Sequence, residues 1–338
     1  MSFQTSLNGL DIENPPDKAV SYCAMTILLQ AQNLSRHFGP NAAVRDIDIT
    51  VKRGEILGFL GPNGAGKSTT MKMLSGNLAP DQGEIQINGF DLLSQPRQAK
   101  AQLGYLPENP PLYRELTVDE YLKHCARLNR LSGKALSSAV DQVIERCGLG
   151  EVRRRLISQL SKGYQQRTGI AQAIVHSPAV VILDEPTSGL DPLQIRQIRE
   201  LIREIANAHS VILSTHILPE VEMLCDRVQI ISKGQVVFAD SLDALHQQRQ
   251  QSRLKIRLSQ PPPLSELQSL PGVLSVAPLS TGQFRLIYQP EQDPTELLLS
   301  RAVTEQWRLQ ELIREQDSLE EIFMQLINTD GHQAEELN

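Results

Sequence analysis

Eight consecutive residues, Gly61-Pro62-Asn63-Gly64-Ala65-Gly66-Lys67-Ser68, combine conformationally free positions with a cation and a hydroxyl. The glycines let the backbone wrap so that successive N–H groups converge on an anion. An apolar run, Ile56–Leu60, reads as the strand leading in, and Lys67–Leu74 as the helix leading out, whose N-terminus adds partial positive charge. Strand, glycine-rich turn and helix form the context in which this pattern binds nucleotide phosphates. Lys67 is expected to neutralise terminal phosphate oxygens, Ser68 to give an oxygen to Mg²⁺, and Thr69 to follow in the same first turn.

A second group lies downstream, where Val180-Val181-Ile182-Leu183 ends in Asp184 and Glu185. A buried strand delivers carboxylates to its carboxyl end, where α/β sheets bind ligands. Read alone, this is an ordinary strand end. Downstream of a complete phosphate loop, Asp184 is placed to hold Mg²⁺ through water and Glu185 to polarise an attacking water as general base.

These groups need a layered scaffold. From Ile27 to about Ala239, short β-branched runs (Asp46–Val51, Glu55–Leu60, Val180–Leu183, Val211–Leu213, Val228–Ile231) alternate with helical stretches and predict an α/β domain. Between Leu116 and Ala173 the pattern is almost purely helical, with Val118, Tyr121, Leu122, Cys125 and Leu128 at spacings of three and four, so a helical insert is expected over about 110–175. Residues 1–24, with Asn14-Pro15-Pro16-Asp17 and no apolar run, read as a disordered extension before a domain spanning 25–245, and 331–338 as a disordered tail. Met25, directly before Thr26-Ile27-Leu28-Leu29, is a candidate start.

A second domain is expected over 250–330. After the polar stretch His246–Ser252, Leu254, Ile256 and Leu258 alternate and Pro261-Pro262-Pro263 breaks the chain. The order strand, helix, strand (Val273–Val276), strand (Phe284–Tyr288), helix (Pro294–Val303), strand (Leu309–Ile313) fits a ferredoxin-like α+β module. A last helix, Leu319–Ile327, opens on the capping box Ser318-Leu319-Glu320-Glu321, and its stripe of Leu319, Ile322, Phe323, Leu326 and Ile327 is expected to pack on this same domain. The module reads equally as a dimer-stabilising appendage or as a sensor that tunes the first domain.

Composition excludes other classes. A net charge of -6 gives no general attraction to nucleic acid, and Arg153, Arg154 and Arg155, the tightest basic run, read as a solvated turn, so no nucleic-acid partner is expected. Cys23, Cys125, Cys147 and Cys225 lack metal or redox spacing and read as reduced thiols. No stretch approaches the ~20 apolar residues of a membrane-spanning helix, so any membrane role must come through a partner.

Leu160-Ser161-Lys162-Gly163-Tyr164-Gln165-Gln166-Arg167, shortly before the acidic strand, resembles the signature motif of ATP-binding-cassette (ABC) ATPases. Phe38, Gly189-Leu190-Asp191 and Ser214-Thr215-His216 match that family in order, over roughly Ile27 to Ala239. The resemblance implies a P-loop NTPase cassette that hydrolyses ATP with Mg²⁺. It implies that Phe38 stacks adenine, Gly61 to Thr69 bind phosphate, Lys67, Glu185 and His216 act in catalysis, and Ser68 and Asp184 attend the metal. Two cassettes would face each other, with Ser161, Lys162, Gly163 and Tyr164 reaching the partner's ATP and Asp191 in the dimer-contacting loop.

Two departures stand out. Glu108, in Gly104-Tyr105-Leu106-Pro107-Glu108, occupies the place of a commoner glutamine and would approach Mg²⁺ as a carboxylate. Lys162 and Tyr164 replace glycine and glutamine; Lys162 either adds positive charge near phosphate or stands as a solvated lysine. Pro107-Glu108, the run Ser214 to Glu222 and Leu319-Glu320-Glu321-Ile322-Phe323 are similar to ATPases of the ABC-2-type exporter branch, including gliding-motility-associated and multidrug-type proteins. That branch implies a cytoplasmic subunit at the inner face of the membrane, with separate permeases docking near Glu108. The competing class, soluble cassettes acting on ribosomes or DNA, usually joins two cassettes or inserts long arms, which this sequence lacks.

Overall fold

The structure is a computed structural model describing residues 26–247, 252–289, 291–315, 320–324 and 326–327. The calls on 1–24, Met25, Cys23, Ser318, Leu319 and 331–338 lie outside the described residues. In chain order the structure begins with β1 (Ile27–Phe38), β2 (Asn41–Lys52), β3 (Ile56–Leu60), α1 (Lys67–Leu74), β4 (Gln82–Ile87), β5 (Phe90–Asp91), α2 (Pro96–Ala101) and β6 (Leu103–Leu106). Next come α3 (Val118–Leu128), α4 (Gly133–Arg146), α5 (Lys162–Ile174), β7 (Val180–Asp184), α6 (Pro192–Ala206), β8 (Ser210–Thr215), α7 (Leu218–Leu224), β9 (Arg227–Ser232), β10 (Gln235–Ser241) and α8 (Leu242–Gln247).

The central sheet runs β10-β9-β3-β8-β7-β6, parallel except for the antiparallel edge strand β10. Its inner strands β3, β7 and β8 are buried on both faces, which explains their continuous apolar runs. Side chains alternate between two cores with the period of a strand. Ile56, Leu60, Val181, Leu183, Val211 and Leu213 pack toward the helical insert. Leu57, Phe59, Val180, Ile182 and Ile212 pack toward α1 and the antiparallel sheet β2-β1-β4-β5. The loops after β3, β7 and β8 therefore leave the carboxyl end of a sheet packed on both faces.

In the insert, α3 opens on a reciprocal capping box: Thr117 Oγ1 accepts from the Glu120 N–H at 3.3 Å, and Glu120 Oε2 accepts from the Thr117 N–H at 2.9 Å. Val118, Tyr121, Leu122 and Cys125 are buried as the spacing predicts. Leu128 is not: it is 69% exposed, because α3 ends at this residue and the chain turns away through Asn129. In the basic run, Arg153 is tied to Asp119 at 2.6 Å and Asp141 at 2.7 Å, and Arg154 and Arg155 are exposed.

The C-terminal elements are β11 (Ser252–Leu258), α9 (Leu264–Gln268), β12 (Val273–Ser280), β13 (Gln283–Tyr288), α10 (Thr295–Thr304) and β14 (Leu309–Glu315). Their antiparallel order β12-β13-β11-β14 is that of a ferredoxin-like unit, and it encloses its own core of Leu254, Ile256, Leu286, Leu298 and Trp307. The stripe of the last helical residues, 320–324 and 326–327, corrects the expectation. Ile322 joins the insert-side core of the first domain with Phe238 and Leu245, and Phe323 and Leu326 pack against it. Glu321 pairs with Arg253 of β11 at 3.2 Å, so the segment bonds to one unit and buries its apolar face in the other.

Candidate active site

Between β3 and α1 the chain turns within six residues, which requires backbone that only glycine supplies cheaply. Gly66, at φ 108°, caps α1, and a Cβ there would lie 2.6 Å from the Ala43 carbonyl oxygen. A Cβ on Gly61 would lie 2.5 Å from the Ile231 oxygen. The turn between β9 and β10 braces the loop, since the Gly234 N–H donates to Ala65 O at 2.9 Å and Gly234 O accepts from the Arg45 N–H at 2.8 Å. Lys67 is buried; its Nζ donates to Gly61 O at 2.8 Å and Pro62 O at 3.3 Å, and sits 3.5 Å from Glu185 Oε1.

Across the loop, Asp184 ends β7 with 2% of its surface exposed, and its Oδ1 is buried without a hydrogen-bond partner among the described residues. Burial raises its pKa above the ordinary carboxylate value, the Ser214 and Ser68 hydroxyls work against that, and the charges of Glu185 and Glu108 add to it. Glu185 adopts φ 49°, in the left-handed region where a non-glycine residue is strained. Its N–H is held by Ser214 O at 2.9 Å, and the turn aims its carboxylate back at the phosphate loop. His216, just past β8, places Nδ1 2.8 Å from Glu185 Oε2.

A cleft of about 440 Å³ opens over these groups. Asn63, Gly64, Gly66, Lys67, Ser68, Thr69, Glu108, Glu185 and His216 line it; Gly61, Pro62, Ala65 and Asp184 lie outside that lining, with Ala65 and Asp184 buried. Ala43 and Ser188 line it as well and were missed from sequence. Ser188 adjoins the Gly189-Leu190-Asp191 motif and was within reach of that signal; Ala43, an alanine in β2, carries none. The donor set fits a Mg²⁺ ion, because Ser68, the unpartnered Asp184 oxygen and Glu108 are all hard oxygen donors. No group of three His, Cys, Asp or Glu side chains among the described residues is arranged to hold a metal alone.

Other predicted residues stand apart from the cleft. Phe38, at the end of β1, is 52% exposed, with the Arg36 guanidinium 5.3 Å from its ring centroid. Ser161 caps α5, its Oγ accepting from the Tyr164 N–H at 3.4 Å. Gly163 is buried against Gln194, and Lys162 lies beside Gly189, where an added Cβ would collide with its ammonium. Asp191 caps α6, accepting from the Gln194 N–H at 2.9 Å. Ser161 to Tyr164 and Asp191 do not line the cleft.

Known proteins resemble this chain over its first domain. The ABC transporter family profile matches residues 44–188. The uncharacterized ABC transporter ATP-binding protein YdbJ of Bacillus subtilis is 38% identical over 68% of this chain and 74% of its own. The bacitracin transport ATP-binding protein BcrA of Bacillus licheniformis is 37% identical over 70% of this chain and 76% of its own. A solved structure of an ATP-binding subunit of an ABC transporter superposes with a TM-score of 0.60 at 35% identity, over 65% of this chain and 92% of that one. The chain belongs to the ABC transporter ATP-binding proteins and is an ATPase of that family.

Proposed function

We propose that the chain is the ATP-hydrolysing subunit of an ABC-2-type exporter, a cytoplasmic protein held at the inner membrane face by a separate permease, and that two copies close around two ATP molecules. The observation carrying this is the Glu185 carboxylate, bridged between Lys67 and His216 at the phosphate loop, while Ser161 and Gly163 lie outside the cleft of their own chain. A second copy would bring those two residues to the γ-phosphate and complete its electrostatic cage. Residues 25–245 form the cassette in this reading, and residues 250–330 an accessory domain.

Lys67 leaves the Gly61 and Pro62 carbonyls for the β- and γ-phosphate oxygens, where its charge is neutralised by a stronger partner. Its departure frees Glu185 Oε1 to accept a hydrogen from the attacking water, while Oε2 stays oriented by His216. Ser68, Asp184 and Glu108 would hold Mg²⁺, which when bound offsets phosphate charge. Phe38 would stack on adenine with the ring face that Arg36 leaves open. The exporter assignment draws on the sequence features of that branch and on relatives such as BcrA, whose name records transport of bacitracin. Among the described residues no helix is long and apolar enough to cross a membrane.

The test is Glu185→Gln with ATP and Mg²⁺, recording phosphate release and oligomeric state by light scattering. Turnover should collapse while an ATP-bound dimer accumulates. Normal hydrolysis would overturn the role of Glu185, and a monomer with ATP bound would overturn the shared sites.

A further inference from the structure

A second carboxylate sits behind the site and takes no part in the steps above. Glu220, in the first turn of α7, is 0% exposed, an unusual position for a charge that leucine could fill without desolvation. Its Oε2 accepts from Thr215 Oγ1 at 3.1 Å, and its Oε1 lies 3.6 Å from Arg199 Nη2 of α6. Thr215 is itself fully buried, and its Oγ1 accepts from the Ile217 N–H at 3.1 Å. The hydroxyl thus has one direction only: its hydrogen must point at Glu220 for its lone pair to receive Ile217. The Glu220 N–H in turn donates to Ile217 O at 3.1 Å. Residue 216 lies at the centre of this closed turn, and the imidazole leaves it to meet Glu185 at 2.8 Å.

We propose that Glu220, acting through Thr215 and anchored by Arg199, is the positioning residue that holds His216 against Glu185. The inference rests on the reading of His216 given under the proposed function and adds a fixed support for it. Arg199 ties that support to α6, whose N-terminus is capped by Asp191 in the loop next to Ser188 of the cleft. One helix therefore carries both the loop beside the phosphate site and the counterion of the carboxylate that aims the histidine. Without the Thr215 hydroxyl, the Ile217 N–H and Glu220 Oε2 lose their partner together, and the turn relaxes at the point where a displacement of about 1 Å costs on the order of a hundredfold in rate.

The experiment compares Thr215→Val, Thr215→Ser and Glu220→Gln in wild-type and His216→Ala backgrounds, measuring kcat and KM for ATP. Thr215→Val keeps the branched shape and removes only the hydroxyl. It should lower kcat about tenfold with KM unchanged, Thr215→Ser should restore turnover, and Glu220→Gln should fall between them. In the His216→Ala background neither Thr215→Val nor Glu220→Gln should lower kcat further, a non-additivity that general loosening of the core would not produce. Wild-type kcat in Thr215→Val, or an equal loss with His216 already removed, overturns the proposal while leaving the role of His216 intact. Full turnover in His216→Ala alone overturns both.

Discussion

Replacing Asp184 with asparagine should stabilise the protein while disabling it. The carboxylate is 2% exposed and one of its oxygens has no hydrogen-bond partner among the described residues, so the ionised side chain is held at a penalty. An unsatisfied buried polar group costs about 1–3 kcal/mol, and asparagine removes the charge but leaves one amide end poorly matched, so a gain of about 1–2 kcal/mol is expected. For a domain of this size that is a rise in Tm of roughly 2–8 °C. The sign with pH follows from the raised pKa of Asp184, caused first by burial. The folded state holds the proton more tightly than the unfolded one, so the penalty is complete above the folded pKa and fades toward 3.8. The advantage of Asp184→Asn should therefore be largest at neutral pH and shrink on acidification. Thermal unfolding at several pH values, with ATP present and Mg²⁺ added or withheld, measures both effects. Added Mg²⁺ should raise the Tm of the wild type more than that of the variant, whose ATPase rate should fall about a hundredfold or more. A variant that melts below the wild type at neutral pH, or gains its advantage only in acid, would refute the reasoning.

Gly66→Ala forces φ 108° on a residue with a Cβ and drives that carbon to 2.6 Å from Ala43 O, adding about 1–3 kcal/mol of strain at the mouth of the phosphate loop. Titration with a fluorescent ATP analogue should show affinity reduced more than about tenfold; wild-type affinity would mean that the loop is not the phosphate site. Ile322→Ala removes a side chain 5% exposed in the insert-side core and should cost about 2 kcal/mol or more. Its effect should appear in the melting of the cassette itself, followed calorimetrically, and a change confined to a separate C-terminal transition would show that Ile322 does not pack where described.

The phosphate loop, the acidic strand and the central strands were legible because their chemistry is local: glycine where the backbone must wrap, unbroken apolar runs where both faces of a sheet are buried. The first sheet was less so. β1 runs on to Phe38 without a clear apolar alternation, since its partner β2 is joined to it through register shifts that break the pattern. The left-handed backbone of Glu185 carries no sequence signal, because glutamate is not among the residue types that favour positive φ. Charge misleads at Glu220, where the rule that glutamate is exposed is overridden by two partners from other elements. The apolar stripe at Ile322 was visible, yet an amphipathic pattern says which face is buried and not against what.

The brace that Gly234 gives the phosphate loop also sets an order of events on the ribosome. Residues 61–68 are made early, but β3 borders β8 and β9, and the loop's backbone partner at Ala65 is a residue some 170 positions later. At ordinary elongation rates that interval is on the order of ten seconds or more, during which the loop has neither the neighbouring strands β8 and β9 nor its brace. Products ending before the β9–β10 turn lack both the Gly234 brace and the β9 neighbour of β3, and should grip ATP less firmly than the full chain.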